Sequence, residues 1–231
     1  MINRFAIGDI HGRYDALLEC LEKCEFDYDN DLLIVLGDVC DGGYNTAQCV
    51  EELFEIKNLV FIMGNHDEWF LNHIKSGWAD NIWLHQGGYN TIKSYGGLFK
   101  VSDYILDSSL LLKEVNVPVT HQEFFNNAKY YYELDNMLFV HAGIKEGIPL
   151  EKQRKETLLW DRDMWFYDCR TKPIKGFKKI FIGHTAQSSE VPENYHNVWN
   201  LDTGAGWKGK LTIMNIDTEE YWQSKRQEES R

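Results

Sequence analysis

Short apolar runs, rather than long amphipathic stretches, set the pattern of this chain. Arg4 to Ile7 (RFAI), Leu32 to Leu36 (LLIVL), Leu59 to Met63 (LVFIM), Met137 to Val140 (MLFV) and Lys179 to Ile182 (KIFI) are rich in β-branched and aromatic residues. Runs of this length, bounded by glycine and polar residues, predict buried strands. Between the first three runs the apolar positions switch to helical spacing. Tyr14, Leu17, Leu18 and Leu21 share one stripe, and Ala47, Val50, Leu53 and Phe54 share another, with Asn45 or Thr46 as the expected cap. Strand, helix, strand, helix, strand is a βαβ pattern whose right-handed crossovers bring the strand ends to one sheet edge. His196 to Asp202 and Lys210 to Ile216 read as late strands, so a second sheet is expected. Glu219 to Arg231 reads as a frayed, solvated end.

The character of the chain changes in the middle. Trp69, Trp78, Trp83, Tyr89 and the cluster Tyr130 to Tyr132 mark residues 68–135 as a mainly helical, aromatic-rich insert within one domain spanning 1–231. Taken singly, most of these aromatics are expected in the core. A chain of 231 residues, 43% hydrophobic, is large enough for one sizeable core. Four prolines, with no Gly/Ser tract and no internal repeat, give no sign of a linker.

Composition narrows the function. Cys20, Cys24, Cys40, Cys49 and Cys169 are an odd set without a CxxC pair, which fits reduced thiols. The sequence MINRFAIGD enters the first predicted strand at once, and no run approaches membrane-spanning length, so a cytoplasmic protein without a membrane partner is expected. A net charge of -12 argues against general nucleic-acid binding, which needs clustered Lys and Arg. It also sets a condition on any anionic substrate. The attracting positive charge must be local, and bound metal ions are its obvious source.

Candidate chemistry sits where the apolar runs end, in the segments GDIHG, GDVCDGG, GNHD, HAG and GH. Glycine lets the backbone leave a strand and approach an ion closely. Asp9 and His11, two residues apart, are expected to point to one side of extended backbone. Asp38 offers two oxygens, enough to bridge two ions, while Asn65, His141 and His184 add an amide oxygen and two imidazoles. Mixed oxygen and nitrogen donors suit manganese, iron or zinc better than thiolate-selecting metals. His73, His85, His121 and His196 lack such neighbours and read as structural or surface residues.

In this order, the five segments resemble the calcineurin-like metallophosphoesterases, and more narrowly their phosphoprotein phosphatase branch with its bacterial and phage members, from Gly8 to about Gly206. The resemblance implies an α/β fold, a central two-sheet β-sandwich flanked by helices in four layers. It implies that Asp9, His11 and Asp38 hold a first metal and that Asp38, Asn65, His141 and His184 hold a second. Manganese is the expected ion, with iron, zinc or nickel as alternatives. The implied activity is hydrolysis of phosphomonoesters by a metal-bridging hydroxide, with a phosphoprotein or small phosphoester as substrate and a monomer as the working unit. Two divalent ions bring about four positive charges, and Asp9, Asp38 and the hydroxide remove about three, so roughly +1 remains to attract phosphate.

The same resemblance makes His66 the general acid and Asp41 its orienting carboxylate. Two departures concern the substrate. The phosphatase branch usually carries a phosphate-gripping Arg where this chain has Gly42, so phosphate binding is weaker or supplied from elsewhere. LLWDRDMW resembles a stretch that carries a phosphate-contacting Arg in bacterial and phage members, here Arg162, with Arg13 as the second candidate. If the missing clamp limits binding, an Arg introduced at Gly42 is expected to lower KM. Asp67 replaces the usual Glu, as it does in the diadenosine tetraphosphate hydrolases, which makes dinucleoside polyphosphate hydrolysis the alternative reading. A catalytically inactive binding module is the lesser alternative, since all six ligands are present. The segment WLHQGGYNT resembles one common in bacterial members and receives no catalytic role; its glycines are expected to serve a turn. Asp202, Thr203 and Gly204 in LDTGAG are expected to support the loop of the second metal.

Overall fold

The computed structural model describes residues 2–97 and 115–226. In chain order the elements are β1 (Arg4–Ile7), α1 (Tyr14–Lys23), β2 (Leu32–Val35), α2 (Thr46–Phe54), β3 (Asn58–Phe61), α3 (Asn65–Ser76), the short α4 (Asn81–Trp83), α5 (Tyr89–Ser94) and α6 (Val119–Asn126). Then follow β4 (Tyr131–Leu134), β5 (Met137–Val140), α7 (Lys155–Trp160), the short α8 (Cys169–Thr171), β6 (Lys179–Ile182), β7 (Glu193–Tyr195), β8 (Val198–Asn200), β9 (Thr212–Asn215) and β10 (Tyr221–Gln223). Within the stretch read as an insert, α3 to α6 are helical and Tyr131 already belongs to a sheet. Residues 98–114 of that stretch lie outside the described residues.

Two five-stranded mixed sheets form the centre, in the orders β10-β9-β1-β2-β3 and β4-β5-β6-β8-β7. The apolar runs lack polar alternation because both faces of their strands are covered. Phe5, Ile7, Leu33 and Val35 pack under α1 and α2, whereas Ala6 and Ile34 face the other way. In the second sheet Leu138, Val140, Ile180 and Ile182 pack under α7, and Phe139 and Phe181 face inward. The inward residues of both sheets meet in one buried layer, in which Phe139 and Phe181 stack with ring centroids 5.1 Å apart. Helices outside two face-to-face sheets give the four-layer architecture that the resemblance implies.

Strands β1, β2 and β3 run parallel, and so do β5, β6 and β8. Their C-terminal ends therefore carry the segments that follow them to a common edge, where open α/β sheets place ligands.

Two expectations need correction. The chain after Glu219 does not fray at once: Tyr221–Gln223 pairs antiparallel with β9, and Trp222 packs on Phe5 with centroids 6.1 Å apart. Burial of that indole stabilises a segment whose composition looked like a solvated tail. Nor do Asn45 or Thr46 cap α2 with their side chains. The Ser94 hydroxyl, from α5, accepts from Ala47 N at 2.7 Å instead.

Candidate metal centre

Each candidate ligand follows the C-terminal end of a strand. Asp9 and His11 come after β1, Asp38 after β2, Asn65 after β3 at the first turn of α3, His141 after β5 and His184 after β6. Asp9, Asp38, Asn65, His141 and His184 are buried, while His11 is half-buried. The local backbone is strained in proportion. His11, Asp38, Asp41 and His184 all have left-handed φ, between 50° and 70°, each costing on the order of 1 kcal/mol or more for a residue with a Cβ. The expected extended path from Asp9 to His11 is thus replaced by a turn, held by Ile10 N and His11 N donating to Asp38 O at 3.0 and 2.8 Å. That turn sets His11 Nε2 4.0 Å from Asp9 Oδ2 and 3.7 Å from Asp38 Oδ2.

The imidazoles are aimed as metal ligands are. His11 Nδ1 lies 2.9 Å from Cys40 O and His141 Nδ1 lies 2.8 Å from Leu36 O. Donation to a carbonyl from that nitrogen leaves the Nε2 lone pair bare and pointed at the centre. His141 Nε2 there meets only acceptors, Asn65 Oδ1 at 2.9 Å and Asp38 Oδ2 at 3.4 Å, and His184 Nδ1 meets the same Asn65 Oδ1 at 2.9 Å. Burial works against protonation of His141, yet Asp38 outweighs it and raises this ring above its ordinary value, so either a proton or a cation can stand among these acceptors. His184 Nε2 is buried with no hydrogen-bond partner. Burial pulls His11 down to about 4 and His184 down to about 2, so both rings are neutral, as ligation requires. Burial, aided by Asp202 and Asp38, pushes the Asp9 carboxyl well above its ordinary value. Such crowded, dehydrated carboxylates fit divalent cations, and so do the two clusters His11–Asp38–His66 and Asp38–His141–His184.

His66 stands at the edge of this set. Its Nδ1 is 2.6 Å from Asp41 Oδ2, its backbone N donates to Asp38 Oδ1 at 3.0 Å, and its ring lies edge-on to His11 with centroids 5.0 Å apart. Burial works against protonation, yet Asp38 and Asp41 outweigh it and hold His66 up to about 9. An imidazolium beside the cleft is suited to protonate a departing oxygen.

Asp67 does not face the cleft at all. Its carboxylate accepts from Asp38 N, Val39 N, Cys40 N and Gly64 N at 2.7, 2.9, 3.1 and 2.9 Å. It fastens the Asp38 loop to the start of α3, a structural role away from the substrate. Gly42, the other departure, has φ +80°, and a Cβ there would lie 3.0 Å from Gly206 O and 3.2 Å from His11 Cβ. A side chain here would be strained and crowded, which argues against the expectation that an Arg at this position would help.

The remaining cations divide. Arg162 is exposed on the cleft and donates to His184 O at 3.4 Å. Arg13 also lines the cleft, but its Nε and Nη2 donate to Ala205 O and Trp207 O at 3.1 and 3.3 Å. It braces the LDTGAGW loop. In that loop Asp202 Oδ1 accepts from Gly204 N at 3.0 Å and Asp202 O accepts from Gln187 N at 2.9 Å, the expected turn. The cleft holds about 520 Å³, and Trp160, Trp207 and His85 contribute to its walls.

Comparison with known proteins decides the family, since the calcineurin-like phosphoesterase model matches residues 4–205. The chain belongs to the calcineurin-like phosphoesterase family. Its relatives within that family carry two kinds of name. Serine/threonine-protein phosphatase 1 of Salmonella typhimurium is 26% identical, over 92% of this chain and 91% of its own. A symmetrical bis(5'-nucleosyl)-tetraphosphatase of Coxiella burnetii is 35% identical, over 94% and 90%. Among solved structures, a proposed diadenosine tetraphosphatase superposes with a TM-score of 0.68 at 16% identity, covering 96% of this chain and 92% of that one. The metallophosphoesterase from Sphaerobacter thermophilus superposes at 0.58 and 15% identity, covering 99% and 89%. A binuclear metal site is characteristic of this family.

The six candidate ligands expected from the sequence lie together at one sheet edge, whereas the surroundings of Asp41 were not foreseen. Trp83 and Thr91, from the segment given no role, both bond its carboxylate. The only signal was the resemblance of WLHQGGYNT itself, which names a segment without naming a contact. His85, read as a bystander, is exposed on the cleft wall.

Proposed function

We propose that this protein hydrolyses phosphomonoesters, with phosphorylated serine and threonine in proteins as the foremost substrates. Asp9, His11, Asp38, Asn65, His141 and His184 would hold two divalent ions, manganese being the expected metal. Such a pair supplies an activated water and neutralises the charge of the bound phosphate. The side chains do the rest: Arg162 brings a guanidinium to the outer phosphate oxygens, the N-terminus of α3 favours the anion, and His66 protonates the leaving oxygen while Asp41 orients the ring. The observation that carries this reading is the 2.6 Å contact between His66 Nδ1 and Asp41 Oδ2 beside Asp38. Residues 68–135 we read as part of the same domain; of the described residues among them, Trp83 and Thr91 bear on the acid side of the cleft.

Hydrolysis of dinucleoside tetraphosphates is the second reading. Trp160 (38% exposed) and Trp207 (73% exposed) stand in the cleft walls, beside His184 and beside the loop that touches His11, and exposed indoles can stack on bases. The experiment adds Mn²⁺ to chelator-stripped protein and compares turnover of a phosphoserine peptide, p-nitrophenyl phosphate and diadenosine tetraphosphate. Preference for the nucleotide replaces the first reading with the second. Failure to turn over any of them, with manganese, zinc, nickel or iron, removes both.

A further inference from the structure

The carboxylate of Asp41 is fully buried and needs partners on both oxygens. His66 occupies only one face of Oδ2. Trp83 Nε1 donates to that same Oδ2 at 2.9 Å, and the Thr91 hydroxyl donates to Oδ1 at 2.6 Å. Thr91 Oγ1 also accepts from Asp41 N at 2.8 Å, so one hydroxyl grips both the side chain and the backbone of Asp41. Asn90 Nδ2 donates to Gly42 O at 2.5 Å, holding the next residue of the turn. Trp83 and Thr91 are themselves buried and lie at the ends of one continuous piece of chain, α4 through α5.

The fold accommodates this contact deliberately. Between the two donors the chain makes a distorted turn, Leu84–Gly88, in which Gly87 has φ +108°. Gly87 lies so close to the acid turn that a Cβ would collide with Gly42 N and reach 3.0 Å from Asp41 Cβ. The approach that lets Trp83 and Thr91 straddle Asp41 is therefore available only to glycine at this position. At its far side Tyr95 OH is 2.9 Å from His121 Nδ1, and His121 Nε2 is 2.9 Å from Glu51 Oε1, which ties the segment to α6 and α2.

We propose that Trp83 and Thr91 are positioning residues for the acid of this site: their two hydrogen bonds fix the Asp41 carboxylate, and Asp41 so fixed sets the plane of the His66 ring that faces the leaving oxygen. Neither residue touches substrate. The proposal rests on His66 being the acid. A carboxylate that rotates by a few tens of degrees still neutralises an imidazolium, but it no longer aims it. Loss of either donor thus weakens proton delivery while leaving phosphate binding in place.

A leaving-group comparison isolates proton delivery. An alkyl phosphate such as β-glycerophosphate leaves as a strongly basic alkoxide and needs the proton, whereas p-nitrophenyl phosphate leaves as a stabilised anion and needs it far less. In the manganese-loaded protein, Trp83→Phe and Thr91→Val are expected to lower kcat on β-glycerophosphate by about ten-fold or more, a fraction of the roughly 10²- to 10⁴-fold that general acids contribute. On p-nitrophenyl phosphate the loss is expected to be several-fold smaller, with KM for either substrate little changed. Thr91→Ser, which keeps the hydroxyl, is expected to restore most of the alkyl rate. The Thr91 pair carries the test if Trp83→Phe fails to fold. Equal losses on the two substrates, no loss on either, or a Thr91→Ser as impaired as Thr91→Val would overturn the positioning role. His66→Asn, run alongside, separates the levels: equal loss on both substrates in that variant overturns the acid assignment itself, and this proposal with it.

Discussion

At the scale of single residues, the site shows which departures from a familiar pattern matter. His66 lines the cleft and contacts a buried carboxylate, and the proposed function makes it a proton donor rather than a ligand. His66→Asn is expected to lower turnover of an alkyl phosphate by roughly a hundred-fold or more while the metal content per chain stays at the wild-type level. Metal loss, measured by elemental analysis after gel filtration, would mean that His66 ligates an ion. Gly42 teaches the opposite lesson. Its φ of +80° and its close contacts with Gly206 and His11 make a side chain there strained and crowded. Gly42→Arg is expected to cost about 1–3 kcal/mol in urea unfolding, and to leave KM for p-nitrophenyl phosphate unimproved because the strained turn displaces His11. A lower KM with unchanged stability would show that the turn yields more easily than its geometry suggests.

Elements connect these residues through contacts that no local pattern records. The Ser94 hydroxyl, half-buried on α5, accepts from the second residue of α2. Ser94→Ala is expected to destabilise the protein by about 1 kcal/mol, the usual worth of a helix cap; a variant as stable as wild type would mean that water satisfies Ala47 N. The strands and the candidate ligands placed at their ends were legible in the sequence because each apolar run is local and both of its faces are buried, so RFAI or KIFI announces itself. The helices α1 and α2 were legible for the same reason, from their stripes. What was not legible depends on distance along the chain. Asn45 and Thr46 were the local caps on offer, but the hydroxyl that accepts from Ala47 N belongs to Ser94, 47 residues beyond Ala47. Asp67 looked like a change of substrate and is a clasp on the backbone 27 to 29 residues earlier. β10 was missed because its polar, charged surroundings outweigh a single packed Trp222 in any local count.

At the scale of the whole molecule, the two sheets join through their inward faces, and at the edge where their parallel strands end the protein gathers more negative charge than it can comfortably bury. Asp9, Asp38 and Asp202 lie within one another's fields, on a chain whose net charge is already -12. Lysine and arginine are scarce around them, since Arg162 is exposed and Arg13 is engaged with carbonyls. The His66 imidazolium offsets part of this charge, and divalent ions in the proposed centre would offset more, so metal occupancy and stability are expected to be linked. At a hundred-fold excess over Kd each site is worth about 2.7 kcal/mol. In a chain of this size that raises the melting temperature by roughly 5–11 °C per site. Stripping the protein with chelator is therefore expected to lower the melting temperature by at least this amount, reversibly on adding Mn²⁺. Simple loss of a bound ligand would look the same, so the charge argument needs a variant whose sign differs. Asp9→Asn removes one of the crowded charges while its amide oxygen still accepts from His184 N, as Asp9 does at 3.1 Å. When stripped, this variant is expected to melt at or above the stripped wild type, because the repulsion is relieved; with manganese it is expected to melt below the loaded wild type, because a ligand is gone. If it instead melts lower than wild type in both states, Asp9 supports the fold through its hydrogen bonds, and the crowding of carboxylates at the sheet edge costs the metal-free protein little.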